Sequence, residues 1–391
     1  MTSVAGEAAT ANAAAASAAA SAVAETAATR TTGEATAARV RRLRALLVAR
    51  RLDAVLVTDP FDVRYLSGFT GDDTCLVVGR DVALICTDSR YWAQVADEVR
   101  GFTLEKTERL LDDASAAIRR DLGENTALGF QGARLSYADH RLLRHGHAGR
   151  LRDVGGAVTK LREVKDAGEV ERIRRAARLT DEALRAVVAT GLVGRTERDV
   201  AWQIGEELHK YGAEGLAFAS IVAAGEWGAL PHAAPRDRPI GRGELVVIDT
   251  GARVEGYCSD ITRTFATGEL DGELRRVYET VLCAQLTGLA ALRGGIDGKA
   301  VDAAARAVID AAGYGEHFGH GTGHGVGLEV HEAPRLGRLH GDPLAPGMVA
   351  TVEPGIYLEG RAGVRIEDTV LVTPDGCELL TGYPKELQVT S

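Results

Sequence analysis

Two stretches of the sequence each end an apolar run in a carboxylate. Residues 243–251 read GELVVIDTG and residues 347–355 read GMVATVEPG, so each has a glycine, a short apolar run, an acid and a second glycine. Apolar runs that are rich in β-branched residues and bounded by glycines are typical of buried strands. The two acids are Asp249 and Glu353. Because a buried unpaired charge is costly, their positions indicate that something binds them.

A second acid follows each stretch, on what the pattern indicates is a returning strand. A hairpin that turns at residues 254–256 is predicted to place Asp260 directly across from Asp249, with Cβ atoms about 5 Å apart. The second hairpin is predicted to return Glu367 beside Glu353. Four anions so close together repel one another, and some keep their protons unless cations lie among them.

The segment between the two hairpins carries histidines in a glycine-rich sequence. Residues 317–334 read HFGHGTGHGVGLEVHEAP and include His320, His324 and His331. So many glycines disfavour a helix, which excludes a zincin site, where two histidines share a helical face. A phosphate-binding loop is the alternative. Its spacing fits neither the P-loop nor the Rossmann fingerprint, however, and the segment has no lysine.

Five side chains from these segments together resemble the five-ligand metal site of the pita-bread metallopeptidases. That family includes methionine aminopeptidase, aminopeptidase P, prolidase and the metal-free creatinase. The surrounding motifs DTGA, SDITRTF, GTGHGVGLEVHE, VEPG and RIED are most similar to those of the aminopeptidase P and prolidase branch. The resemblance covers residues 40–385. The five side chains are Asp249, Asp260, His324, Glu353 and Glu367.

The resemblance implies a role for each ligand. Asp260 and Glu367 would bridge two metal ions, and Asp249 would hold one of them. His324 and Glu353 would hold the other. Glu353 would also carry a proton from the attacking water to the leaving nitrogen.

The ligand types select among metals. Oxygen-dominated ligation with one imidazole favours manganese, with cobalt or iron as alternatives, over a structural zinc site built from thiolates. Charge balance agrees with this prediction, because four carboxylates neutralise two divalent cations. Each acid taken singly is typical of a surface salt bridge, so the prediction depends on the whole set.

Four further side chains are predicted to face the substrate. The resemblance implies this for His232, in the sequence ALPHA, and for His320. His331 is predicted to donate a hydrogen bond to the substrate carbonyl or the tetrahedral intermediate, with a structural histidine as the alternative. Arg365 lies two residues before Glu367, so strand alternation points both to one face. It would orient that carboxylate, bind a substrate carboxylate or form a plain salt bridge.

Proline-containing peptides suit such a site. A bond that precedes proline has no N–H for an enzyme to grip, and a pair of metal ions activates water and carbonyl without one. The leading prediction is an Xaa-Pro aminopeptidase, with an Xaa-Pro dipeptidase (prolidase) as the alternative. A metal-free creatinase-like hydrolase and a non-catalytic binding module are disfavoured, because all five ligands are present.

Composition limits the partners and the compartment. The net charge of −9 and the pI near 5.7 disfavour nucleic acid and anionic membrane surfaces as partners. The five cysteines are scattered without metal-ligand spacing and are predicted to be reduced and buried. No window of the sequence is typical of a transmembrane span. A cytoplasmic protein is predicted, and the resemblance adds the expectation of a homodimer.

The chain is predicted to contain a tail and two domains. Residues 1–36 are rich in alanine and are predicted to be disordered; a signal peptide is disfavoured because no basic residue precedes Arg30. Residues 37–155 alternate helix and strand, which predicts an α/β domain of the creatinase/prolidase amino-terminal type. Residues 156–391 are predicted to form an α+β pita-bread catalytic domain.

Several local elements are predicted within these domains. A strand hairpin is expected over residues 74–86, and a long helix is expected from residue 160. Thr196 is expected to cap another helix, and two more are expected over residues 273–292 and 299–312. Three histidines of the first domain are predicted to be solvated surface residues: His140, His145 and His147.

Overall fold

The computed structural model describes residues 33–339, 341 and 343–390. The predicted tail falls outside these residues up to position 32, and residues 33–36 belong to the first helix, α1 (33–49). The chain divides into two compact units, one that ends at Leu161 and one that begins at Arg162. No helix among the described residues has the length and apolar character needed to cross a bilayer.

The first unit is built on one six-stranded mixed sheet. Its strand order is β4-β3-β2-β1-β5-β6. The β2–β3 hairpin forms as predicted, with Cys75 opposite Cys86. The strands are β1 (Ala54–Val57), β2 (Thr74–Gly79), β3 (Ala83–Thr87), β4 (Thr103–Lys106), β5 (Leu128–Phe130) and β6 (Leu151–Asp153).

Helices pack on this sheet. The helices after α1 are α2 (Pro60–Ser67), α3 (Trp92–Glu98), α4 (Leu110–Leu122), α5 (Tyr137–Gly146) and the short α6 (Thr159–Arg162). The prediction for His147 is wrong, because its side chain is buried at the end of α5 and its Nε2 lies 2.8 Å from the Thr126 carbonyl oxygen. His145 is exposed, and His140 is partly buried, with its ring 5.2 Å from that of Phe130.

The second unit contains two helix pairs, each followed in the chain by strands. The helices are α7 (Ala167–Ala189), α8 (Glu197–Lys210), α9 (Gly272–Ala291) and α10 (Gly298–Ala311). Helix α7 begins later than predicted, because Asp166 and Glu169 form a capping box that starts the helix after residue 166. The predicted Thr196 cap is confirmed, with Asp199 completing its capping box.

The strands of the second unit form four sheets, with orders β11-β10-β7, β12-β9-β8, β14-β13-β15-β18-β19 and β16-β17. They are β7 (Gly215–Leu216), β8 (Ile221–Ala224), β9 (Leu245–Thr250), β10 (Ala252–Val254), β11 (Tyr257–Cys258), β12 (Ile261–Ala266), β13 (Gly323–Gly325), β14 (Glu332–Leu336), β15 (Val349–Val352), β16 (Gly355–Leu358), β17 (Ala362–Arg365), β18 (Asp368–Val372) and β19 (Cys377–Leu379).

The helices cover the strands and leave the strand ends to form a cavity. Helices α7 and α8 pack against β9 and β12 in one apolar cluster. Helix α9 packs against β16 and β17, and α10 packs with β15 and β18 in a third cluster. The prediction that all cysteines are buried is wrong, because Cys283 is exposed on α9 and Cys377 is partly exposed; none of the described cysteines forms a disulfide.

Candidate metal centre

Asp249 and Asp260 come from the β9–β12 pair. The predicted register is wrong, because Thr262, and not Asp260, lies opposite Asp249. The intervening β10–β11 turn pairs with β7 instead of extending the β9–β12 ladder, and Asp260 falls just before β12 begins. Both carboxylates nevertheless line one cavity of about 360 Å³.

Glu353 and Glu367 face each other as predicted. Val352 pairs with Asp368 on one side of them, and Gly355 pairs with Arg365 on the other. The same antiparallel register therefore places the two glutamates at opposing positions between these pairs. Both line the cavity that Asp249 and Asp260 line.

Glycines allow the histidine strand β13 to enter this centre. A Cβ atom on Gly323 would lie 2.0 Å from the Thr351 carbonyl oxygen, and one on Gly325 would lie 2.1 Å from that of Ala333. Only glycine fits at these positions. The His324 Nδ1 lies 3.1 Å from the Gly325 carbonyl oxygen and donates to it, so Nε2 is the nitrogen that faces the carboxylates. Nε2 lies 3.2 Å from Glu353 Oε1.

The donor set fits cations. Asp260, His324 and Glu367 each offer an atom within 4.8 Å of the other two. One oxygen each of Asp249, Asp260 and Glu367 is buried without a hydrogen-bond partner among the described residues. Burial raises the pKa values of Asp260 and Glu367 well above their usual range, and neighbouring carboxylates add to the shift. Buried carboxylate oxygens that repel one another and lack donors are stabilised by bound cations.

The pKa of Glu353 is shifted in the opposite direction to the pKa values of its neighbouring carboxylates. Burial alone would raise its pKa, but the hydrogen bond and the charge of His324 outweigh burial and lower the pKa to about 2. Thr351 Oγ1 also donates to Glu353 Oε1 at 3.1 Å and accepts from the His324 backbone N–H at 3.0 Å. Glu353 is therefore held ionised beside the imidazole.

Arg365 forms an ion pair with Asp249, one of the alternatives that the sequence left open. Its Nη2 lies 2.7 Å from Asp249 Oδ2, and its Nη1 donates to the Tyr357 hydroxyl at 2.9 Å. Its Nε donates to Thr262 Oγ1 at 3.0 Å. The guanidinium thus orients Asp249 directly and contacts Thr262, which forms a hydrogen bond with Glu367.

Thr262 was not identified from the sequence, although it lies in the SDITRTF motif. Its hydroxyl donates to Glu367 Oε2 at 2.6 Å. The signal available in the sequence was the position of Thr262, two residues after Asp260 on the same predicted strand.

Thr262→Val is expected to weaken metal binding by about 10- to 100-fold, because Glu367 loses the donor that orients it while the side-chain volume is kept. Isothermal titration of the metal-free protein with Mn²⁺ measures this change. Thr250→Val is the matched control, since Thr250 is buried and its hydroxyl lies 2.8 Å from that of Ser220. Equal affinities of the two variants would contradict an orienting role for Thr262.

The three substrate-side histidines all line the cavity, but their ring environments differ. His320 has both nitrogens engaged, Nδ1 at 2.8 Å from the Gly321 carbonyl oxygen and Nε2 at 2.9 Å from the Tyr357 hydroxyl. The His331 ring centroid lies 4.3 Å from that of His324. Burial, His324 and Arg335 lower the pKa of His331 to about 4, so the ring is neutral at neutral pH.

Helix α10 holds the histidine segment, which the sequence alone did not indicate. Asp302 Oδ1 accepts from the Thr322 backbone N–H at 3.0 Å and from its hydroxyl at 2.9 Å. Arg306 donates to the carbonyl oxygens of Phe318 and His320 at 2.8 and 2.7 Å. The signal available in the sequence was an acid and an arginine four residues apart on the predicted helix, Asp302 and Arg306.

Comparison with known proteins identifies relatives of both units. Residues 171–374 match the model of metallopeptidase family M24, and residues 39–164 match that of the Creatinase/Prolidase N-terminal domain. An Xaa-Pro dipeptidase from Pyrococcus furiosus is 37% identical over 339 residues, which cover 86% of this chain and 95% of that protein. An uncharacterized peptidase from Bacillus subtilis is 38% identical over 353 residues, 89% and 99% of the two chains.

Solved structures agree in fold. An Xaa-Pro dipeptidase from Bacillus anthracis superposes with a TM-score of 0.88 at 36% identity, over 90% of this chain and 99% of that one. An X-Pro aminopeptidase from Thermotoga maritima gives a TM-score of 0.84 at 37% identity with the same coverage. These matches confirm the predicted pairing of an α/β domain with a pita-bread domain. The chain belongs to metallopeptidase family M24 and carries a Creatinase/Prolidase N-terminal domain.

Proposed function

We propose that this protein hydrolyses Xaa-Pro dipeptides with two bound divalent metal ions. Manganese is the preferred metal in this proposal, and cobalt and iron are the alternatives. The sequence favoured an Xaa-Pro aminopeptidase and kept the dipeptidase as its alternative. Similar proteins include Xaa-Pro dipeptidases from Pyrococcus furiosus, Pyrococcus horikoshii and Bacillus anthracis, and an X-Pro aminopeptidase from Thermotoga maritima. The observation that carries the choice of dipeptides is the environment of Arg335.

The proposed metal ligands are five side chains that line the cavity: Asp249, Asp260, His324, Glu353 and Glu367. When bound, the metal ions would supply a water of lowered pKa and polarise the scissile carbonyl. Glu353, ionised and hydrogen-bonded by Thr351, is placed to accept a proton from that water and to pass it to the leaving proline nitrogen. Arg365 orients Asp249 through the 2.7 Å contact between its Nη2 and Asp249 Oδ2.

Two histidines act on the substrate in this proposal. His331 is neutral and partly exposed to the cavity, so one ring N–H can donate to the carbonyl oxygen as negative charge develops there. His232 lies at the cavity wall after Pro231, whose carbonyl oxygen accepts from Arg365 Nη1 at 3.2 Å. His320 shapes the wall through its two hydrogen bonds, because neither nitrogen is left to bind substrate.

Arg335 supplies a permanent positive charge to the same cavity. It lies on β14, and its side chain is exposed and lines the cavity. Its guanidinium forms no hydrogen bond or ion pair with any residue in the described part of the chain. An unpaired guanidinium near the reacting groups suits the terminal carboxylate of a short peptide, which arginine binds with two parallel hydrogen bonds. A dipeptide places that carboxylate on the proline itself.

The test compares Ala-Pro with Ala-Pro-amide and Ala-Pro-Ala in the manganese-loaded protein. We expect hydrolysis of Ala-Pro and little turnover of the other two peptides. Efficient cleavage of Ala-Pro-Ala would instead identify the activity as that of an aminopeptidase. Arg335→Met is expected to raise the KM for Ala-Pro by about 10- to 100-fold, the usual effect of losing a charged hydrogen-bonded pair. Arg242→Met, at an exposed position off the cavity, is the control. An unchanged KM in Arg335→Met would remove the carboxylate-binding role.

The identity of the metal, a cytoplasmic location and a homodimer stay predictions from the sequence and the resemblance.

A further inference from the structure

Strand β14 presents its substrate-facing side chains on one face only. His331, just before the strand, and Arg335 are exposed and line the cavity, while Glu332, Pro334 and Leu336 are buried. This alternation follows from the two-residue period of a strand. The position of both cavity-facing groups is therefore set by whatever holds the buried face.

Glu332 holds that face through a buried ion cluster, which consists of Arg162, Lys165, Glu329 and Glu332. Glu332 Oε2 lies 2.5 Å from Arg162 Nη2, and its Oε1 lies 2.8 Å from Lys165 Nζ. Arg162 Nη2 also lies 2.9 Å from Glu329 Oε2. The side chains of Glu332, Arg162 and Lys165 are at most 2% exposed.

The segment that carries Lys165 is itself fixed by backbone contacts with the residues before β15. The Lys165 N–H donates to the Gly347 carbonyl oxygen at 2.9 Å, and Val164 forms a β-bridge with Met348. Gly347 and Met348 lead directly into β15, which carries the chain to Glu353. The cluster thus joins the strand that carries His331 to the strand that leads to a proposed metal ligand.

Charge and burial make this connection rigid. Burial would raise the pKa of Glu332, but Lys165 and Arg162 overcome that effect and lower it, so the carboxylate is ionised. A buried ion pair contributes little net stability, because desolvation offsets the attraction, but it defines one geometry. A shift of β14 would separate charges that have no water to replace their partners.

We propose that Arg162, Lys165 and Glu332 are positioning residues that hold β14 at the place where His331 and Arg335 face the substrate. This inference rests on the proposed function for its kinetic readout. Glu332 itself touches neither the cavity nor the proposed metal ligands, so it would act only through the strand.

The experiment replaces the charge of Glu332 in the full chain by Glu332→Gln. The expected result is unchanged metal content, a kcat for Ala-Pro lower by about a hundredfold and a raised KM, since a misplacement of about 1 Å has effects of this size. In the double variant Glu332→Gln with His331→Ala, kcat should fall little below that of His331→Ala alone. The reason is that Glu332 acts on kcat by positioning His331, so its substitution has little further effect once His331 is absent. Strictly multiplicative losses would overturn the proposal.

The matched control is Glu197→Gln, which neutralises another fully buried glutamate of the same unit. Glu197 lies 2.9 Å from Arg236 Nη2, and its side chain is fully buried. This variant should lower the melting temperature comparably and keep kcat and KM near those of the unmodified protein. Equal kinetic losses in Glu197→Gln and Glu332→Gln would show a general effect of destabilisation and reject the positioning role.

Hydrogen–deuterium exchange supplies a readout that needs no substrate. In Glu332→Gln the amides of residues 328–336 should exchange faster, while those of β9 and β12 keep their rates; unchanged exchange over 328–336 would also reject the proposal. If the unmodified protein does not cleave Ala-Pro, the proposed function fails and the exchange result still decides the role of the cluster. If Glu332→Gln does not fold, Arg162→Gln leaves the Lys165–Glu332 pair and is put to the same measurements.

Discussion

Asp260→Asn and Glu367→Gln are each expected to lose both bound metal and measurable hydrolysis. These carboxylates are buried, each has one oxygen without a hydrogen-bond partner in the described part of the chain, and burial with mutual repulsion raises both pKa values. Two cations among them relieve that repulsion, so an amide at either position removes a ligand and a charge together. The loss of rate should reach at least about 10⁴-fold, since the activated water depends on the metal centre.

Metal analysis of the purified variants, combined with the Ala-Pro assay, measures this prediction. Asp181→Asn is the control, because Asp181 is a buried acid that accepts from the backbone N–H groups of Gly382 and Tyr383 and does not line the cavity. Burial raises the pKa of Asp181 to about 6, so this control alters a buried acid that lies away from the cavity. Two metal ions per chain in either Asp260→Asn or Glu367→Gln would defeat the assignment of these residues as bridging ligands.

His331→Ala is expected to keep its metal and to lose about 10²- to 10³-fold in kcat, the usual effect of removing one donor to a developing oxyanion. The ring packs against His324 but is not among the proposed ligands. Because its pKa is lowered to about 4, the imidazole is neutral throughout the neutral range. The loss should therefore be the same at each pH of that range, with KM changed less than kcat.

Steady-state kinetics at several pH values and metal analysis test this role. His209→Ala, at an exposed position on α8, is the matched control and should leave kcat unchanged. A His331→Ala variant with near-normal kcat would make this histidine a structural residue. A variant that loses metal would instead make it part of the metal centre.

The chemistry of the centre was predictable because its signals are local in the chain. Two glycine-bounded apolar runs end in acids, and a glycine-rich segment too irregular for a helix carries the histidines. The Thr196 capping box and the helices near residues 273–292 and 299–312 were also predictable, since capping and helical periodicity need only a few neighbouring residues.

The register of the first hairpin was not predictable in the same way. The sequence placed Asp260 opposite Asp249, but the β10–β11 turn pairs with β7, a strand about 40 residues earlier in the chain, and Thr262 takes the facing position. No signal near the turn indicates that pairing. Among the described residues, β16 and β17 of the second hairpin form a sheet of two strands, and there the predicted register holds.

The sequence by itself determined which ligand types are present, their order and the family to which the chain belongs. Only the tertiary structure decided which side chains support them. Glu367 receives its hydroxyl donor from a residue 105 positions away, Asp249 its arginine from 116 away, and Glu332 its arginine from 170 away. Contacts of this span arise when separate elements bury their apolar faces together, and a local pattern carries no information about which polar groups then meet.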